Sequence, residues 1–124
     1  MQNAVQNTAG HVFNFAELLE RIDNDAEFLR ELLSIFKRDY PRRLHSLKEA
    51  ITGAEMKQVE AASHSLKGMF SNLAMDRAAA AAARLEQMGR NRVRVGLEDA
   101  LALLEHEVAG VLPVLDAYLE GARR

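Results

Sequence analysis

From Phe28 to Ile51 the apolar residues Phe28, Leu29, Leu32, Leu33, Phe36, Tyr40, Leu44, Leu47 and Ile51 recur mostly at steps of three and four. At about 100° per residue, that spacing gathers them into one stripe along a helix of about six turns. Such a helix cannot bury its stripe against itself, so the rest of the chain must supply matching faces. Pro41 interrupts the run without shifting its phase, which predicts a kink between residues 37 and 41 and no break.

Matching faces follow downstream. With residues 55–73 helical, Val59, Ala62, Ser63, Leu66, Met69, Phe70 and Leu73 share one side. A further helix starting near Met75 and Asp76 carries six successive alanines, Ala78 to Ala83, and continues its apolar phase through Leu85 and Met88. Alanine joins high helix propensity to small bulk, so this helix can approach its neighbours closely. Residues 89–95, with Arg90, Arg92 and Arg94, read as a basic connecting loop. In the last segment Leu97, Leu101, Leu104, Val108, Val111, Leu115 and Tyr118 alternate in steps of four and three, a seam suited to closing an intramolecular bundle. Gly110 and Pro113 are expected to bend it. Upstream, Phe13, Phe15, Leu18, Leu19 and Ile22 mark a short helix that must lie across one end of something larger.

Local signals suggest the boundaries. Asn24 with Glu27 fits a capping box, Gly53 ends the long helix, and Thr52 or Ala54 opens the next. The expected fold is all-α, an antiparallel four-helix bundle with an additional short N-terminal helix capping one end. It occupies residues 13–120, after a flexible leader or linker over residues 1–12 and before a C-terminal tail over residues 121–124.

Several functions are excluded by what the chain lacks. It has no cysteine, so thiolate catalysis, disulfides and Cys-ligated zinc do not arise. A net charge of -2 with interspersed signs leaves no basic footprint for nucleic acid or anionic lipid. No segment reads as a signal peptide or approaches the ~20 apolar residues of a membrane span. No three-ligand metal cluster and no G-x-x-x-x-G-K-[ST] loop occurs, so neither a metal site nor ATP binding is expected. A cytoplasmic monomer is the expectation.

What remains is His64. On a helix over residues 55–73 it points about 160° from the centre of the apolar face, with Lys67 and Gly68 flanking it one turn on. Histidine as a residue type titrates near 6.5, which makes it a neutral nitrogen nucleophile at neutral pH. Lys67, its head group in water, can offset the charge of a phosphoryl group. Gly68 leaves the helix surface bare for an approaching partner, a reason to tolerate its cost of about 1 kcal/mol in a helix. His11, His45 and His106 read as solvated or structural.

The run Ser63-His64-Ser65-Leu66-Lys67-Gly68, followed by Leu73-Ala74, resembles the signature of the histidine-containing phosphotransfer (HPt) domain. The resemblance extends to the long helix before it and to the helix ending Arg84-Leu85-Glu86-Gln87-Met88-Gly89-Arg90 after it, covering nearly everything from Phe13 to about Leu119. Two residues depart from the pattern. Ser63 stands where alanine is usual, on the core side. Ala74 replaces the common glycine, at a cost on the order of 1 kcal/mol if that residue adopts positive φ.

The resemblance implies a phosphorelay intermediate. His64, through Nε2, accepts a phosphoryl group from a receiver-domain aspartate and passes it to another receiver aspartate. Lys67 stabilises the phosphate charge and Gly68 gives the receiver access. Glu86 lies near the histidine and accepts a hydrogen bond from its ring, while Ser65, Ser71 and Asn72 are candidate partner contacts. The chain binds no cofactor of its own, and the receiver supplies Mg²⁺. The implied partners are response-regulator receivers and a hybrid sensor histidine kinase, and the protein is a phosphocarrier without its own ATP site. The competing reading is a non-catalytic helical-bundle interaction module. The dimerisation domain of a histidine kinase fits less well, because an acidic residue normally follows its histidine and Ser65 does so here.

Overall fold

A computed structural model of the chain describes residues 15–122. The leader over residues 1–12, with His11, and Phe13 lie outside the described residues, as do residues 123 and 124 of the tail. The described residues form five helices: α1 (Phe15–Arg21), α2 (Ala26–Thr52), α3 (Met56–Asn72), α4 (Asp76–Arg90) and α5 (Leu97–Ala122). Consecutive long helices pack side by side and α5 closes back on α2, the four-helix bundle that the apolar stripes predict. No helix among the described residues is long and apolar enough to cross a membrane.

The stripes meet in one core. Leu29, Leu33, Phe36, Tyr40, Leu47 and Ile51 of α2 are buried, as are Leu97, Leu101, Leu104, Val108, Val111 and Leu115 of α5. Phe36, Tyr40 and Phe70 form an aromatic cluster, with centroids 5.4 Å apart for Phe36–Tyr40 and 6.3 Å for Phe36–Phe70. Phe28 departs from its predicted stripe and is exposed, together with Ile35. It sits in the first turn of α2, beside the fully buried Leu29. Both α2 and α5 run unbroken through their prolines, Pro41 and Pro113. Ion pairs fasten α5 to the bundle: Lys37 to Asp116, Lys48 to Glu105 at 2.9 Å, and Arg77 to the buried Glu107 at 3.1 Å. The short α1 buries Leu18, and its Arg21 donates to the Ser71 carbonyl at 2.8 Å, holding α1 over the end of the bundle where α3 terminates.

The chain reverses by one device used four times. After each of the first four helices a residue adopts left-handed φ near +55°: Asp23, Ala54, Ala74 and Arg92. The next N–H then reaches back to a carbonyl five residues earlier, Asn24 to Leu19 at 2.8 Å, and Glu55 to Ala50, Met75 to Phe70 and Val93 to Met88 at 2.9 Å. This is the Schellman arrangement, usually built on glycine, and here no glycine occupies the left-handed position. Gly53 ends the long helix as expected, but it is right-handed at φ -83 and Ala54 makes the turn. Three other boundary expectations are corrected. Asn24 is itself left-handed at φ 59, so the cap of α2 is Asp25, whose carboxylate accepts from Phe28 N–H at 3.0 Å. Glu55 precedes α3, in place of Thr52 or Ala54, with no side-chain cap. Gly89 and Arg90 belong to α4, so the basic loop begins at Asn91.

Candidate functional site

The inward face of α3, with Val59, Ser63, Leu66 and Phe70 buried, determines what the helix shows outside. His64 follows Ser63 by about 100°, and its side chain is 70% exposed. The alanine-rich α4 lies against α3, burying Ala78, Ala81, Ala82, Leu85 and Met88. Glu86, next after Leu85, falls at the seam between the two helices, with its side chain only 7% exposed.

A carboxylate withdrawn from water is costly unless partnered, and three groups partner this one. Lys67 Nζ lies 2.6 Å from Oε1, while His64 Nδ1 at 2.8 Å and Arg90 at 3.1 Å both meet Oε2. The Lys67 ammonium above all, and His64 after it, hold the Glu86 carboxyl below the usual carboxylate range against the opposing effect of burial. Ionised, Glu86 can only accept hydrogen bonds. The His64 contact is therefore Nδ1–H donating to Oε2, an arrangement that in the neutral imidazole leaves the lone pair on Nε2. A neutral imidazole so held is a nitrogen nucleophile with its tautomer and orientation set by its neighbour.

The remaining sequence candidates sort around this pair. Lys67 does not hold its head group in water as expected; it is turned onto Glu86 because the buried carboxylate needs a cation. Gly68 is exposed, and a Cβ built on it meets nothing within 4 Å, so the protein's own packing does not require a glycine there. Ser65 is half-buried, and its Oγ receives a hydrogen bond from Arg43 of α2. Ser71 and Asn72 are exposed about two turns beyond His64. Asn72 borders a shallow groove between α2 and α3 lined by Leu32, Ile35, Met69 and Leu73. His45 and His106 are exposed, and His45 meets Glu49 one turn on at 3.3 Å. Among the described residues no three His, Cys, Asp or Glu side chains gather as a metal site would need.

Three residues at this site are not evident from the sequence in these roles. Arg90 reaches both Glu86 and Glu60 of α3, the latter at 3.0 Å. Its position four residues after Glu86 is the spacing that could have paired them. Arg43 reaches Ser65 across the α2–α3 register, which no local pattern encodes. Gly89, the first residue of the expected basic loop, lies buried at the α3–α4 crossing.

Comparison with known families agrees with this geometry. The family model described as Hpt domain matches residues 31–121, a span holding most of α2, all of α3 and α4, and nearly all of α5. Searches of curated proteins and of solved structures returned no match. With the bundle, the exposed histidine and the matched span in agreement, the chain belongs to the Hpt domain family, the phosphotransfer domains of two-component systems.

Proposed function

We propose that the domain is a phosphorelay intermediate in which His64 is the phosphoryl acceptor. The observation that carries this reading is the exposed His64 ring with Nδ1–H committed to the buried Glu86, which in the neutral imidazole leaves the lone pair on Nε2. In the step envisaged, Nε2 forms the N–P bond as the P–O bond of a receiver's aspartyl phosphate breaks, and the aspartate departs as a carboxylate. The ring becomes cationic, keeping its proton on Nδ1 and donating it to the Glu86 carboxylate. The reverse step, to a second receiver aspartate, unloads it. Such transfers depend mainly on positioning and charge stabilisation. Lys67 lies one turn from the ring to meet the phosphoryl oxygens, and the incoming receiver contributes Mg²⁺.

The receiver docks over Gly68, where an added Cβ would meet nothing within 4 Å among the described residues. The groove bordered by Leu32, Ile35, Met69 and Asn72 extends that surface toward α2. The domain acts as a monomeric phosphocarrier in the cytoplasm, loaded through a hybrid sensor histidine kinase.

The test is transfer from a phosphorylated receiver in the presence of Mg²⁺. Acid-labile, alkali-stable label should appear on the wild type and be lost in His64→Gln. A domain that binds candidate receivers yet never takes up label is an interaction module instead.

A further inference from the structure

A glycine away from the reacting atoms sets the distance on which the His64–Glu86 pair depends. Gly89 is buried on α4, and a Cβ there would lie 2.6 Å from the Glu60 amide nitrogen, 2.8 Å from the Met56 carbonyl oxygen and 2.9 Å from the Glu60 Cα. All three are backbone atoms of α3, so no rotamer change relieves the clash. The helices touch here main chain to main chain. Arg90, the next residue, ties the same crossing through Glu60 at 3.0 Å.

The crossing lies one turn from the functional pair on both helices. His64 follows Glu60 by four residues on α3, and Glu86 precedes Gly89 by three on α4. The two helices run antiparallel, so both steps lead in the same direction. Restoring ordinary contact at residue 89 requires about 3.4 Å where the Cβ has 2.6 Å, a separation of roughly 0.8 Å in a close-packed interior. Carried to the next turn, it stretches the 2.8 Å Nδ1–Oε2 contact beyond the N–H···O range of about 3.2 Å.

We infer that Gly89 is a positioning residue: the absence of a side chain there brings α4 close enough for Glu86 to hold the His64 ring by Nδ1. This rests on the phosphoacceptor reading for its effect on transfer, but the geometry can be tested without it.

The experiment compares wild type, Gly89→Ala, Glu86→Ala and Leu104→Ala, each with trimethylamine N-oxide added to favour the folded state and with helix content checked by circular dichroism. Leu104, buried on α5, is a control for general destabilisation. The first readout is the ¹⁵N shifts of the His64 ring. Gly89→Ala should lose the Nδ1–H signature and match Glu86→Ala, whereas Leu104→Ala should retain the wild-type shifts. The second is receiver-to-domain transfer, which should fall about tenfold or more in Gly89→Ala, since misplacement by 1 Å can cost about 100-fold. Wild-type ring shifts in a folded Gly89→Ala overturn the inference, as does an equal change in Leu104→Ala. A wild type that never accepts label defeats the phosphoacceptor reading alone, because the ring shifts still report whether Gly89 sets the pair.

Discussion

Ser63→Ala should make this domain more stable without affecting its chemistry. Ser63 is fully buried on the inner face of α3, and its Oγ has no hydrogen-bond partner among the described residues. An unmet buried hydroxyl costs about 1–3 kcal/mol, and alanine is also the better helix former by up to about 0.5 kcal/mol. Against these stands the loss of one oxygen's packing, a few contacts at about 0.1–0.2 kcal/mol each. The net gain is about 1–2 kcal/mol. For a domain of this size each 1 kcal/mol raises Tm by roughly 3–6 °C, between the ranges for smaller and larger domains.

Urea denaturation is the assay, with an increase in midpoint at unchanged slope as the expected result. Phosphotransfer should be unaltered, since Ser63 faces the core and His64 faces out. A midpoint that stays put or falls would mean that the hydroxyl is satisfied in solution, and the reasoning from its unpaired state fails. The same substitution restores the residue usual in HPt signatures, so a stabilising result would identify Ser63 as a tolerated defect.

Further substitutions probe the turns and the site separately. Gly68→Ala should stabilise the helix by about 0.5–1 kcal/mol, because its Cβ enters open space, while Gly68→Gln should block receiver transfer in a fully folded domain; undiminished transfer would remove Gly68 from the docking surface. Ala54→Gly should add about 0.5 kcal/mol by relieving left-handed alanine, whereas at Ala74, equally left-handed but fully buried, the lost methyl, about 0.8 kcal/mol, should cancel the gain. Glu86's folded pKa is depressed, chiefly by Lys67, so its contribution to stability is present above the ordinary glutamate value and lost as pH falls through the depressed one. Lys67→Ala should move the Glu86 carboxyl titration upward and shrink that contribution, as followed by carboxyl ¹³C shifts and pH-dependent denaturation.

Much of this was legible in the chain because period and phase are local properties. The stripes of α2 and α5, the inward face of α3 and the outward His64 all follow from spacing within one helix. Boundaries were less so: left-handed alanines at 54 and 74 do what the sequence signals assign to glycine, and Asp25 takes the capping role one place after Asn24. What no single-helix pattern contains is the register between helices. That register turns Lys67 onto Glu86, brings Arg43 to Ser65, and makes Gly89, the first residue of the expected basic loop, a contact surface within α4. Glu86 itself was reachable only through family resemblance, because its burial depends on how closely α4 can approach α3.

Lys67's engagement with Glu86 raises the question of how it can also serve a phosphoryl group. Before transfer Glu60 and Glu86 are paired with Lys67 and Arg90, and His64 donates from Nδ1 to Glu86. In the proposed reaction the phosphoryl group brings about two negative charges, and the ring, alkylated in effect at Nε2 while retaining its Nδ1 proton, gains one positive charge. That charge arises 2.8 Å from Glu86 Oε2, on the contact already in place. Glu86 thus acquires a new cation at the moment when the phosphoryl oxygens compete for Lys67, and Arg90 remains on it throughout. Lys67 can transfer from the carboxylate to the phosphoryl group without leaving a buried charge unpaired, the condition under which breaking such a pair is most costly. In the proposed relay the buried carboxylate would therefore do more than orient the ring: it holds the Lys67 ammonium, one turn from His64, and could release it when the reaction supplies a replacement.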